Sequence, residues 1–127
     1  MKNNFKKQVE KKIYTNGNPS VCINVKDITY IEKIKSKKIV IIHLNNNEEY
    51  IDTKTLKELE KDLFDYGFIR IDYGVMVNLK HISKIGNDEK GKKFVQLGEK
   101  CLHVTKRRIN FLNNFITNEH LTAHLQA

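Results

Sequence analysis

Between Phe68 and Ile82 the chain runs Phe-Ile-Arg-Ile-Asp-Tyr-Gly-Val-Met-Val-Asn-Leu-Lys-His-Ile. β-branched and aromatic residues dominate this stretch. Short β-type segments flank it, and a helical pattern runs straight into it. A chain of 127 residues has room for one domain and little else. Together these confine it to a small α+β fold in which short strands carry much of the core.

The segments before this stretch can be read in order. Val21, Ile23 and Val25 alternate with Cys22 and Asn24, the period of a strand with one buried face. Lys26-Asp27 breaks the pattern, and Ile28 to Ile34 resumes it. Lys35-Ser36-Lys37-Lys38 is a basic turn, Ile39 to Leu44 a further strand, and Asn45-Asn46-Asn47 another turn. Glu48 to Asp52 can pair back, so the reading to this point is an antiparallel meander. Thr55-Leu56-Lys57-Glu58 then matches a capping box, and Leu56, Leu59 and Leu63 follow at i, i+3 and i+7. Tyr66-Gly67 closes that helix.

Beyond the opening stretch, Leu79 to Ile85 reads as a strand and Gly86 to Lys93 as a polar hairpin tip. Phe94 to Leu97 and Cys101 to Val104 read as two more short strands around Gly98-Glu99-Lys100. Thr105 can cap a last helix, with Ile109, Phe111, Leu112, Phe115 and Ile116 on its buried side. The first turn of that helix carries Lys106, Arg107 and Arg108. Cations there oppose the helix dipole, so local helix energetics do not select them, and an anionic ligand would relieve the cost.

Composition narrows the function classes. Lys and Arg total 23 against 15 Asp and Glu, a formal charge of +8. That excess attracts polyanions, nucleic acid above all, but a Lys-rich solvated surface gives the same number. The longest apolar run, Ile39 to Ile42, is far short of a bilayer span, and no apolar segment follows Lys2, Lys6 and Lys7. Cytoplasmic is therefore the expected location. Cys22 and Cys101 have no zinc-type spacing and sit in apolar runs, so they are expected to be buried free thiols.

No nucleophile elbow, Walker loop, zinc-protease or dinucleotide motif is present, so no catalytic residue is assigned and an enzyme is not expected. His43, His81 and His103 lie in strand-like runs and read as structural. His120 and His124 are four apart but lack further ligands, so neither a metal nor a cofactor is expected. Residues 1–18 read as a basic N-terminal extension or linker in which Val9 and Ile13 can form one helical turn, and 118–127 as a tail.

Four pieces, taken together, resemble the LytTR DNA-binding domain of bacterial transcription regulators. They are Lys26-Asp27-Ile28-Thr29-Tyr30-Ile31-Glu32, Leu56-Lys57-Glu58-Leu59-Glu60, Phe68-Ile69-Arg70 with Val77-Asn78-Leu79, and Val104-Thr105-Lys106-Arg107-Arg108. The resemblance implies a domain over residues 19–117, mostly β with short helices, its short antiparallel strands grouped in small sheets. It also implies double-stranded DNA as partner, in promoter repeats, with loops entering successive major grooves. Carried over by position, a first contact falls at Lys37 or Lys38, a second in Asp72-Tyr73-Gly74 and a third at Arg107 with Lys106 and Arg108 beside it; with their neighbours, the expected DNA-binding set is Lys35, Lys37, Lys38, Arg70, Asp72, Tyr73, Asn78, Lys106, Arg107 and Arg108. Within the opening stretch the resemblance makes Asp72-Tyr73-Gly74 a loop tip on a framework of Phe68, Ile69, Ile71, Val75, Val77 and Ile82.

Two departures from the family pattern matter. Members commonly carry His, a polar residue and Ser where this chain has Asp72, Tyr73 and Gly74. A carboxylate there either reads cytosine N4 and alters sequence preference, or repels phosphate and weakens binding. Tyr73 can stack, contact phosphate or simply pack. Many members also carry a receiver domain ahead of this module. With about 18 residues preceding the domain, none is expected here, nor is control by phosphorylation of this chain. A homodimer on DNA, a membrane-protein inhibitor and another regulator are partners compatible with the family. The competing function, from a different class, is a protein-interaction module that sequesters a regulator. RNA binding is a third reading, for which Tyr14, Tyr30, Tyr50, Tyr66 and Tyr73 are too scattered to form a stacking platform.

Overall fold

The alternation of apolar and polar residues is realised as two cores on either side of one sheet. A computed structural model describes residues 11–17 and 19–118 of the chain. The central sheet has five strands: β3 (Ile28–Ile34), β4 (Ile39–Leu44), β5 (Glu49–Asp52), β6 (Phe68–Asp72) and β7 (Val75–Asn78), in the order β5-β4-β3-β7-β6. Every pairing in it is antiparallel. One face packs Ile28, Ile31, Val40, Ile42, Phe68 and Met76 against Leu56, Leu59 and Leu63 of helix α1 (Leu56–Leu63). The other face packs Tyr30, Ile69, Ile71 and Val77 against Val95, Leu97 and Leu112. Each fully buried Leu or Ile contributes about 1.5–3 kcal/mol relative to exposure.

Two small sheets complete the molecule. β1 (Lys12–Tyr14) pairs antiparallel with β2 (Cys22–Asn24), and β8 (Lys84–Asn87), β9 (Lys93–Leu97) and β10 (Lys100–His103) form a three-stranded sheet in the order β10-β9-β8. Helix α2 (Lys106–Asn118) follows. Short antiparallel strands in small sheets with short helices are the architecture expected from the sequence. The capping box is present in both directions, Thr55 Oγ1 accepting from Glu58 N at 3.1 Å and Glu58 Oε1 from Thr55 N at 2.8 Å. Gly67 stops the short 3-10 turn that follows α1, at φ 90°.

Several local readings are corrected. The strand containing Ile23 does not join the meander but pairs with β1. Ile13, read as part of a helical turn, lies in β1 with its side chain in the core; Val9 is outside the described residues. Leu79 to Ile85 is not one strand. Asn78 turns its amide inward and accepts from Lys80 N, so Leu79–His81 forms a 3-10 turn before β8 begins. Thr105 sends its hydroxyl to Ile71 O at 3.4 Å. Both cysteines are exposed, because strand alternation spends the inward positions on Ile23 and the half-buried Leu102. No described helix is long and apolar enough to cross a membrane.

Candidate nucleic-acid interface

Antiparallel pairing brings the β3–β4 turn and the β6–β7 turn to the same end of the central sheet. Glu32 of β3 faces Val75 of β7, and just beyond this pair Lys33 N donates to Gly74 O at 2.8 Å. The first turn is Lys35-Ser36-Lys37-Lys38, all four exposed. The second is Tyr73-Gly74, with Asp72 ending β6. A third segment arrives from the far end of the sequence. Thr105 N donates to Ile71 O at 2.9 Å, which fixes the start of α2 against the end of β6.

Side chains at this junction are tied to backbone carbonyls. Arg70 alternates with Ile69 and Ile71, so it leaves β6 on the α1 side of the sheet, where Phe68 is core. Its Nη1 donates to Tyr73 O at 2.6 Å. Arg108 Nε donates to Arg70 O at 2.9 Å, and its guanidinium lies 4.9 Å from the Phe111 ring centroid. Asp72 Oδ1 accepts from Tyr73 N at 2.6 Å, a local turn bond in which Asp is at home. The Tyr73 ring is left 76% exposed, with Lys33 Nζ 5.2 Å from its centroid. That distance suits a cation over the ring face.

Two adjoining grooves result. One, of about 620 Å³, is lined by Glu60, Arg70, Asp72, Tyr73, Thr105, Arg107 and Arg108. The other, of about 790 Å³, runs past Lys33, Lys35, Lys37, Lys38, Lys54 and Lys57 and shares Arg70 and Tyr73 with the first. Thus Lys35, Lys37, Lys38, Arg70, Asp72, Tyr73, Arg107 and Arg108 are brought together, and Lys106 is exposed beside them. Asn78 is not among them. It is fully buried, with Nδ2 donating to Ile28 O at 3.0 Å and Oδ1 accepting from Lys80 N at 3.1 Å, so it braces β7 against β3 beneath the surface.

Sequence reading missed Lys33, Lys54, Lys57 and Glu60. For Glu60 the signal was available: it is i+4 from Leu56 and i−3 from Leu63, so the stripe's own period puts it beside the sheet. The three described histidines have structural partners. His43 stacks on Tyr30 at 4.1 Å and reaches Glu32 at 2.6 Å, His81 bonds Lys26 O at 2.7 Å, and His103 bonds Asp88 at 2.9 Å. Among the described residues no cluster could hold a metal; His120 and His124 lie outside them.

Two hairpin turns and a helix start, carrying cations and hydrogen-bond donors on a β scaffold, make a small module suited to a polyanion. The LytTr DNA-binding domain family matches residues 19–117, and the chain belongs to that family. That family is one of DNA-binding domains and not of enzymes. Among solved structures the chain is similar to a LytTr DNA-binding domain from Bacillus cereus, with 16% identity and a TM-score of 0.70, over 83% of this chain and 95% of that one. At that identity the likeness speaks to the fold. No curated protein sequence matches the chain.

Proposed function

We propose that the protein is a sequence-specific, cytoplasmic transcriptional regulator that presents this face to double-stranded DNA, the two hairpin turns and the start of α2 meeting grooves and backbone. The observation that carries the reading is the convergence of three sequence-distant segments, two of them basic, on two grooves that share Arg70 and Tyr73. Lysines of the β3–β4 turn are suited to phosphates, which fix register without reading sequence. Tyr73 and Asp72 stand where side chains can reach base edges. The second carboxylate oxygen of Asp72 can accept from cytosine N4, while the first is engaged with the Tyr73 amide.

Gel-shift titration against the protein's own promoter region, at several salt concentrations, tests this. Binding should weaken steeply with salt. Arg107→Ala should weaken it about tenfold and make the salt slope shallower by roughly one. Salt-insensitive binding, or an unaffected Arg107→Ala protein, would overturn the mode. Co-purification of a partner together with no footprint on any genomic fragment would instead favour the sequestering module.

A further inference from the structure

Glu60 is a carboxylate in the middle of a basic groove, and its geometry is unusual in one respect. Its Oε1 lies 3.6 Å from Arg70 Nε and its Oε2 3.9 Å from Arg108 Nη2. Both separations are within ion-pair range and beyond hydrogen-bond length. The hydrogen bonds that fix the two guanidiniums go instead to Tyr73 O and Arg70 O. Positioning of the arginines is therefore backbone work, and Glu60 adds charge. Arg70 Nε is buried and makes no hydrogen bond, so the carboxylate 3.6 Å away acts on it by charge alone.

We propose that Glu60 is an internal counter-anion for the site formed by Arg70 and Arg108, and that it restrains the site's affinity for phosphate. This inference rests on the DNA-binding reading. Two guanidiniums alone present two positive charges to the groove, and with the carboxylate between them they present a net of one. A phosphate approaching either arginine meets the like charge of Glu60 and releases less of the counterion atmosphere. The effect falls on the sequence-independent part of binding. It shortens residence on random DNA without changing which bases are read.

The test is Glu60→Gln, which keeps the side chain's size and removes its charge, measured on the full chain with promoter DNA and with random DNA of equal length. Because the groups are partly solvated, removing the charge should tighten both by about three- to fivefold at low salt. The gain should shrink as salt rises, and the ratio between the two DNAs should stay the same. Glu89→Gln, in the β8–β9 turn and outside both grooves, makes the same change in net charge and should leave affinity nearly unaltered.

Unchanged or weaker binding by Glu60→Gln, with thermal melting like wild type, would refute the proposal and make Glu60 a positioning residue. A gain matched by Glu89→Gln would refute it equally, since net charge would then suffice. Elution salt from a heparin column separates this inference from the one beneath it. If wild type binds no DNA yet Glu60→Gln elutes later than both wild type and Glu89→Gln, the counter-anion role stands and the DNA reading fails.

Discussion

Replacing Asn78 tests whether the structure has sorted framework from surface correctly. The side chain is fully buried, and both ends of its amide are used, toward Ile28 O at 3.0 Å and Lys80 N at 3.1 Å. Asn78→Ala leaves the buried Ile28 carbonyl short of one donor and removes the bond that turns the chain at Lys80. An abandoned buried partner costs about 1–3 kcal/mol, and the second bond, to a part-buried amide that water can replace, costs toward the lower end. The sum is about 3 kcal/mol, a large share of the roughly 5–15 kcal/mol that holds a domain together. For a chain of this size that corresponds to a melting temperature lower by about 10 °C. Thermal unfolding followed by far-UV circular dichroism reads the loss. Well below the new midpoint, affinity for promoter DNA should remain within about twofold of wild type, because the amide lies beneath the face proposed to meet DNA. Asn78→Asp should be no better, since it sets an acceptor or a buried acid against the Ile28 carbonyl. A tenfold loss of DNA affinity with an unchanged melting temperature would show that Asn78 reaches the ligand, and the assignment would fall.

Thr55→Ala should destabilise the fold by about 1 kcal/mol in urea melts at neutral pH, since it removes half of the capping box. The Thr55 amide and then its hydroxyl hold Glu58 below its ordinary value of 4.5. The stabilisation from that carboxylate is thus present above that value and fades as pH falls through the lower folded one, so the cost of Glu58→Ala, which removes it, should shrink in acid; a cost independent of pH would argue against that half of the box. At the alkaline end, burial, followed by Glu32 and Glu49, pushes the Tyr30 phenol up to about 12. Its folded pKa exceeds the unfolded one, so this contribution is intact below pH 10 and is lost as pH rises toward 12. Tyr30→Phe should flatten that decline in stability. Parallel curves for the two proteins would show that another group is responsible.

How much of this was legible beforehand depended on whether the deciding force was local. The capping box, the Leu56-Leu59-Leu63 stripe and the Asn45–Asn47 turn all depend on neighbours a few residues away, and each forms where the pattern placed it. Pairing partners do not. Ile23 alternates equally well in a meander or a separate ribbon, and the choice was made by Ile13, which closes that ribbon from a segment with little periodicity. The same limit applies to Leu79-Lys80-His81, where apolar spacing suggested a continuing strand. One buried amide, satisfied by Ile28 fifty residues away, turned the chain instead. In the candidate site the basic turn and the basic helix start were visible as charge. Their meeting at Arg70 and Tyr73 was not, because it is set by the bulge and pairing of β6.

That junction divides the cations into two kinds. Arg70 and Arg108 are committed, each donating to a backbone carbonyl and each within reach of Glu60. Among the described residues, the side chains of Lys35, Lys37, Lys38, Lys106 and Arg107 have no such anchor and no acidic partner. Lys106 and Arg107 also stand in the first turn of α2, which holds no acidic residue to offset the helix dipole. Folding gains nothing from cations so placed, and Arg107 lines a groove together with the exposed Tyr73. The unanchored group is therefore where the phosphate term should reside, because flexible, unpaired cations lose little on meeting an anion and release the most counterion. The anchored pair holds the Asp72–Tyr73 turn in shape, and shape is what a loop needs if it is to read bases without a recognition helix.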